Sequence, residues 1–151
     1  MNIRYKKIFI FVIDLNVKQM NIPHWNNKYN TGIEEIDYQH RYFLELINRF
    51  NTRVNNGLDE PMVHRHLTEL LKYAQFHFYS EENLMMLNQF PLIEEHVELH
   101  LDLIDKLSVM LMNFEIGRAS LSEILEFLIE WFIDHTVKED TKLAAYIRPD
   151  A

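Results

Sequence analysis

The segment from Phe76 to Glu82 reads F-H-F-Y-S-E-E and places His77 and Glu81 four residues apart. On an α-helix that spacing puts both side chains on one face. Going back from His77, Ala74, Leu71, Leu70, Leu67 and Val63 fall on the same stripe, and Leu84 and Met85 continue it beyond Glu81. An ionisable group left unpaired on such an apolar face is costly, so a partner side chain or a metal must hold it.

The pattern recurs along the chain. His40 shares a stripe with Ile36, Phe43, Leu44, Ile47 and Phe50, and His96 and His100 share one with Ile93, Leu103, Ile104, Leu107 and Leu111. His135 follows Ile124, Leu125, Leu128, Trp131 and Phe132, with Asp140 five residues further on. A lone histidine on an apolar face is usually a hydrogen-bonded core residue. Five inward histidines and two inward carboxylates in one small domain cannot satisfy one another at tolerable cost. Metal is the economical answer.

Five imidazoles and two carboxylates are too many ligands for one ion, so two ions are implied. With both carboxylates bridging and one oxygen from solvent, the three-histidine ion is filled and the two-histidine ion keeps one open position. Zinc prefers four ligands, whereas imidazole with carboxylate at higher coordination suits iron or manganese. The spacing of His135 and Asp140 separates them by about 140° on a regular helix. They face one centre only if the helix widens, which predicts a π-bulge or similar irregularity between Thr136 and Asp140. The competing reading makes Asp140 a surface acid beside Lys138 and Lys142.

The elements that position these residues are helices. A first helix is predicted over about Ile33–Val54, ended by Asn55, Asn56 and Gly57, and a second over about Glu60–Leu87 with Pro61 in its first turn. A third spans about Pro91–Phe114. Ser120 with Glu123 reads as a capping box for a fourth that runs on past Asp140 toward Leu143. Short connections between amphipathic helices fit an all-α, up-down-up-down four-helix bundle. Asn21 to Gly32 is polar and rich in turn formers, an extended N-terminal arm in which Trp25 is an anchor against the helices.

With 151 residues, 48% of them hydrophobic, and only three glycines, the chain is expected to form one helical domain over residues 20–151. The absence of cysteine excludes disulfides and thiolate chemistry and fits a cytoplasmic location. A net charge of −8 with no basic face argues against nucleic acid as a partner. No apolar run approaches the roughly 18 residues of a membrane span. Residues 1–19 resemble a truncated signal peptide, with Arg4, Lys6 and Lys7 ahead of Ile8 to Ile13. They are expected to be an extension outside the domain, with Met20 as the real beginning.

The combined motifs resemble the hemerythrin family, specifically its bacterial single-domain members. They are W-x5-T-G-I-x2-I-D-x-Q-H from Trp25 to His40, H-F-x2-E from His77 to Glu81, E-H-x3-H from Glu95 to His100, and W-x3-H-x4-D from Trp131 to Asp140. The resemblance covers about Asn21 to Tyr146. It implies two non-haem iron ions joined by an oxo or hydroxo bridge, with His96, His100 and His135 on one, His40 and His77 on the other, and Glu81 and Asp140 bridging. It implies O2 binding at the His40/His77 iron, a pocket lined by Phe78, Trp131 and Phe132, and Gln39 orienting a histidine from behind. Ferritin-like di-iron proteins fit less well, because no inward Glu-x-x-His pair occurs. Phe132 replaces the leucine usual after the tryptophan, and Leu143 stands where many members have tyrosine, which puts that contact in doubt.

Reversible O2 binding for storage, delivery or scavenging is therefore the leading expectation, and the protein is not expected to be an enzyme. The alternatives are a di-iron oxidase or peroxidase, a nitric-oxide-handling protein, or an O2 or redox sensor acting through a separate partner. An enzyme would need an acid or base near the open position, for which Tyr38 and Tyr79 are the candidates. His24, His64 and His66 lie off the inward stripes and are expected at the surface, and Met85 and Met86 are expected to fill the core.

Overall fold

The computed structural model describes residues 20–148, so the N-terminal extension read from residues 1–19 lies outside the described residues. Four helices build the bundle: α1 (Glu34–Asn55), α2 (Glu60–Leu87), α3 (Ile93–Glu115) and α4 (Leu121–His135). A π turn, Thr136–Asp140, continues α4 directly into α5 (Thr141–Ile147). No strand occurs among the described residues. α1 packs on α2, α2 on α3 and α3 on α4, the sequential antiparallel contacts of an up-down-up-down bundle.

The helix starts follow from local chemistry. α1 has no side-chain cap of its own. Instead the Asp37 carboxylate accepts from the Thr31 and Gly32 backbone N–H groups at 2.6 and 3.0 Å and from the Thr31 hydroxyl at 2.8 Å. Gly32 turns the chain with φ +89°, which a side chain would strain. This is the physical content of the T-G-I-x2-I-D motif. Asp59 caps α2 by accepting from Met62 N–H at 3.0 Å, with Pro61 in the first turn. The Ser120–Glu123 capping box opens α4.

The third helix begins two residues later than the sequence suggests, because Pro91 and Leu92 are spent on the turn that follows Gln89, a residue with φ +53°. The arm is extended apart from one 3₁₀ turn, Asn27–Tyr29, started by Asn26 accepting from Lys28 N–H at 3.0 Å. That turn drives Tyr29 into the core. Trp25 packs on Tyr29 with ring centroids 5.8 Å apart, so the arm is anchored through both rings.

Two apolar clusters result. The larger runs along the bundle through Phe50, Leu67, Leu107, Phe114, Leu121 and Ile124, all essentially sealed from solvent. The smaller joins Met85, Phe90 and Leu143, with Ile33, Ile93 and Ile147 packed around them, and closes the opposite end. Met86 does not fill the core. One residue on from Met85 turns it by about 100°, and it is 62% exposed.

Candidate metal centre

Between the two clusters lie His40, His77, Glu81, His96, His100, His135 and Asp140, each no more than 5% exposed. All seven predicted ligand positions therefore converge in one buried volume. α1 supplies His40, α2 supplies His77 and Glu81, α3 supplies His96 and His100, and the α4–π segment supplies His135 and Asp140. The π turn occupies the interval where the spacing called for an irregularity. Its wider turn brings Asp140 onto the His135 face, with Asp140 Oδ1 3.0 Å from His135 Nε2.

The carboxylates straddle two histidine sets. Glu81 Oε1 faces His77 Nε2 at 3.7 Å and His40 Nε2 at 4.0 Å, while Oε2 faces His100 Nε2 at 3.2 Å and His96 Nε2 at 3.7 Å. Asp140 Oδ2 lies 3.0 Å from His40 Nε2, and Oδ1 lies 3.4 Å from His96 Nε2. Within each set the ring nitrogens point at one another: His40 and His77 Nε2 are 3.1 Å apart, and His100 and His135 Nε2 3.2 Å. Two compact four-residue groups result, Glu81 with His96, His100 and His135, and His40 with His77, Glu81 and Asp140.

These atoms do not satisfy one another. Both oxygens of Glu81, both of Asp140 and Nε2 of His96 are buried with no aligned hydrogen-bond partner. Buried polar atoms are normally paired, so a group of lone pairs aimed at common points fits cations seated among them. Charge agrees. Burial and the Asp140 charge push the Glu81 carboxyl up, but His77, His100 and His96 outweigh them and hold it at about 2. Asp140 is likewise held well below its ordinary value, since His135, His40 and His96 overcome its burial. Burial lowers His77 to about 4, whereas Asp140 and Glu81 overcome burial at His96 and raise it to about 9. The carboxylates are ionised, and His96 takes a proton that a cation would replace.

Surrounding residues fix the imidazoles. His77 Nδ1 donates to Gln39 Oε1 at 2.8 Å, leaving Nε2 as the inward lone pair. Tyr73 Oη donates to the Gln39 carbonyl at 3.0 Å, tying that residue to α2. His100 Nδ1 donates to Glu82 Oε1 at 3.0 Å. Glu82 has no place in the sequence reading. Its signal was the i, i+4 relation to Phe78, which puts both on the side of α2 turned toward α3.

Aromatic rings complete the walls. Phe132 meets His40 edge-on at 5.5 Å, with Tyr29 and Trp25 each 6.4 Å from a ring of that pair. Phe78 stacks on His100 at 3.9 Å and Trp131 on His135 at 4.9 Å. Trp25 Nε1 is buried without a partner. Tyr38 and Tyr79 are 66% and 69% exposed and face away from the site. His24 is exposed as expected. His64 and His66 are not free surface groups, because His64 packs on Phe114 at 5.3 Å and His66 on Phe50 at 5.5 Å. Leu143 is buried against Met85 and Phe90 and contributes no polar contact.

Residues 31–147 match the family described as the hemerythrin HHE cation binding domain. The chain belongs to the hemerythrin family. Its relatives include a bacteriohemerythrin of Stenotrophomonas maltophilia, 26% identical over 82% of this chain and 80% of that protein. Another, from Clostridium acetobutylicum, is 25% identical over 77% of this chain and 94% of its own length. Among solved structures, wild-type hemerythrin superposes with a TM-score of 0.75 at 21% identity, covering 83% of this chain and 98% of that one. A leucine-to-alanine hemerythrin mutant gives 0.76 at 22% identity, over 84% and 98%. At those identities the structures speak to the hemerythrin fold, while the family match carries metal-cation binding.

Proposed function

We propose that this chain binds O2 reversibly at a non-haem di-iron centre, for storage, delivery or scavenging in the cytoplasm. In this reading His96, His100 and His135 hold one iron, His40 and His77 the other, and Glu81 and Asp140 bridge them. The observation that supports it is the division of each carboxylate, one oxygen toward each histidine set. Iron held there would supply paired one-electron redox chemistry.

The chain's own residues account for the rest. Gln39 and Glu82 each accept from the Nδ1 of His77 and His100, which fixes the two rings with Nε2 turned inward. Phe132 shields the His40 side, and Phe78 and Trp131 cover His100 and His135, keeping water and its protons from the pocket. Binding is favoured over turnover because the phenols that could have served as acid or base, Tyr38 and Tyr79, lie on the exterior.

The test is a visible spectrum of iron-loaded, reduced protein, recorded anaerobically, in air and again after degassing. A charge-transfer band that comes with O2 and goes on degassing is the expected result. Direct passage to a stable ferric spectrum would instead favour an oxidase, a nitric-oxide-handling protein or a sensor. Metal analysis finding no iron would sink the di-iron reading altogether.

A further inference from the structure

The outer face between α1 and α2 carries a groove of about 770 Å³ that the metal centre does not use. Tyr42, Tyr73 and Phe76 form an aromatic wall, with Tyr42 and Tyr73 centroids 5.2 Å apart and Tyr73 and Phe76 6.0 Å apart. Phe76 is 56% exposed, a large apolar ring left in water. Arg65 and Lys72 border the same groove. An adjoining recess adds Arg49 and Arg53, the first with its guanidinium 5.3 Å above the Tyr42 ring.

Four cations border the groove and its recess. The protein carries −8 overall. Among the described residues Arg49, Arg53, Arg65 and Lys72 form no ion pair with a carboxylate, and Arg53 donates instead to His66 Nε2 at 3.2 Å. The one acid lining the groove, Glu69, is engaged by His66 Nδ1 at 3.0 Å. Cations without a carboxylate partner among the described residues, beside exposed aromatic faces, match a ligand with a flat ring and a phosphate. The volume lies in the range of small-molecule sites, roughly 300–1,000 Å³.

We propose that the α1–α2 groove is a binding site for a nucleotide-class ligand, its planar heterocycle against Tyr42, Tyr73 and Phe76 and its phosphate between Arg65 and Lys72. Such a ligand sits over the Tyr73 side chain, whose hydroxyl holds the Gln39 carbonyl. It therefore lies against the helix pair that carries His40 and His77. The site stands independently of which metal the centre takes.

Equilibrium dialysis of the full-length, metal-loaded protein tests this with flavin mononucleotide and, as the phosphate-free control, riboflavin. The mononucleotide is expected to bind at least about tenfold more tightly than riboflavin, and to weaken between about 50 and about 200 mM salt. R65E/K72E, both positions being exposed, should erase that preference, and Phe76→Ala should weaken both ligands alike. Circular dichroism checks that the variants fold; the salt series and the riboflavin comparison need no variant. Equal affinity for the two ligands, a preference that survives R65E/K72E, or retention of neither ligand would overturn the proposal.

Discussion

The two ends of this bundle are made from the same four helices and answer the cost of burial in opposite ways. Around Phe50, Leu67, Phe114 and Leu121 the interior is wholly apolar and closed. Around Glu81 and Asp140 it is crowded with imidazoles and carboxylates, and the four carboxylate oxygens and His96 Nε2 have no aligned partner. The first end is complete as a folded object, and the second is complete only with cations. Apolar packing and ligand chemistry are thus concentrated at different levels of one bundle.

Changes at each end should break this contrast or sharpen it. Glu81→Ala has the largest expected effect, loss of both ions of the proposed di-iron centre, because each of its oxygens faces a different histidine set. Iron analysis per chain checks it, and a variant that keeps both ions would show that Glu81 does not bridge. Phe114→Ala, at the other end, should cost about 3–5 kcal/mol. Denaturant unfolding should give a similar loss with and without metal, while iron content stays unchanged; a loss of iron would show that the ends are not separate. Gln39→Leu should lower metal affinity by about 10–100-fold by releasing His77 Nδ1, measured by chelator competition. Ser120→Ala should cost only about 1 kcal/mol, through the α4 cap, with no spectral change.

Much of this was legible in the sequence because two periodicities coincide. Helical spacing placed His40, His77, Glu81, His96 and His100 on apolar stripes, and burial confirms the stripes. The interval from His135 to Asp140 was legible as a misfit, since five residues do not close on a regular turn. What escaped was contact between helices. Glu82 lies off the stripe of its own helix, and its spacing from Phe78 gains meaning once the approach of α3 brings His100 against it. His66 and Met86 were misjudged for the same reason. Single-helix periodicity does not say how far a flank is covered by its neighbour, and among the described residues Phe50 of α1 covers His66 while Met86 is left exposed.

The π turn has a consequence beyond aiming Asp140. It sets the rotational phase of everything after it. Were Thr136–Asp140 to relax into an ordinary α-helix, the chain beyond would turn by about 100° about its axis. Asp140 would swing out from among the imidazoles, and Leu143 would leave its seat on Met85 and Phe90 in the same movement. One turn of helix thus fixes the phase of both the carboxylate and the plug that seals its end of the bundle.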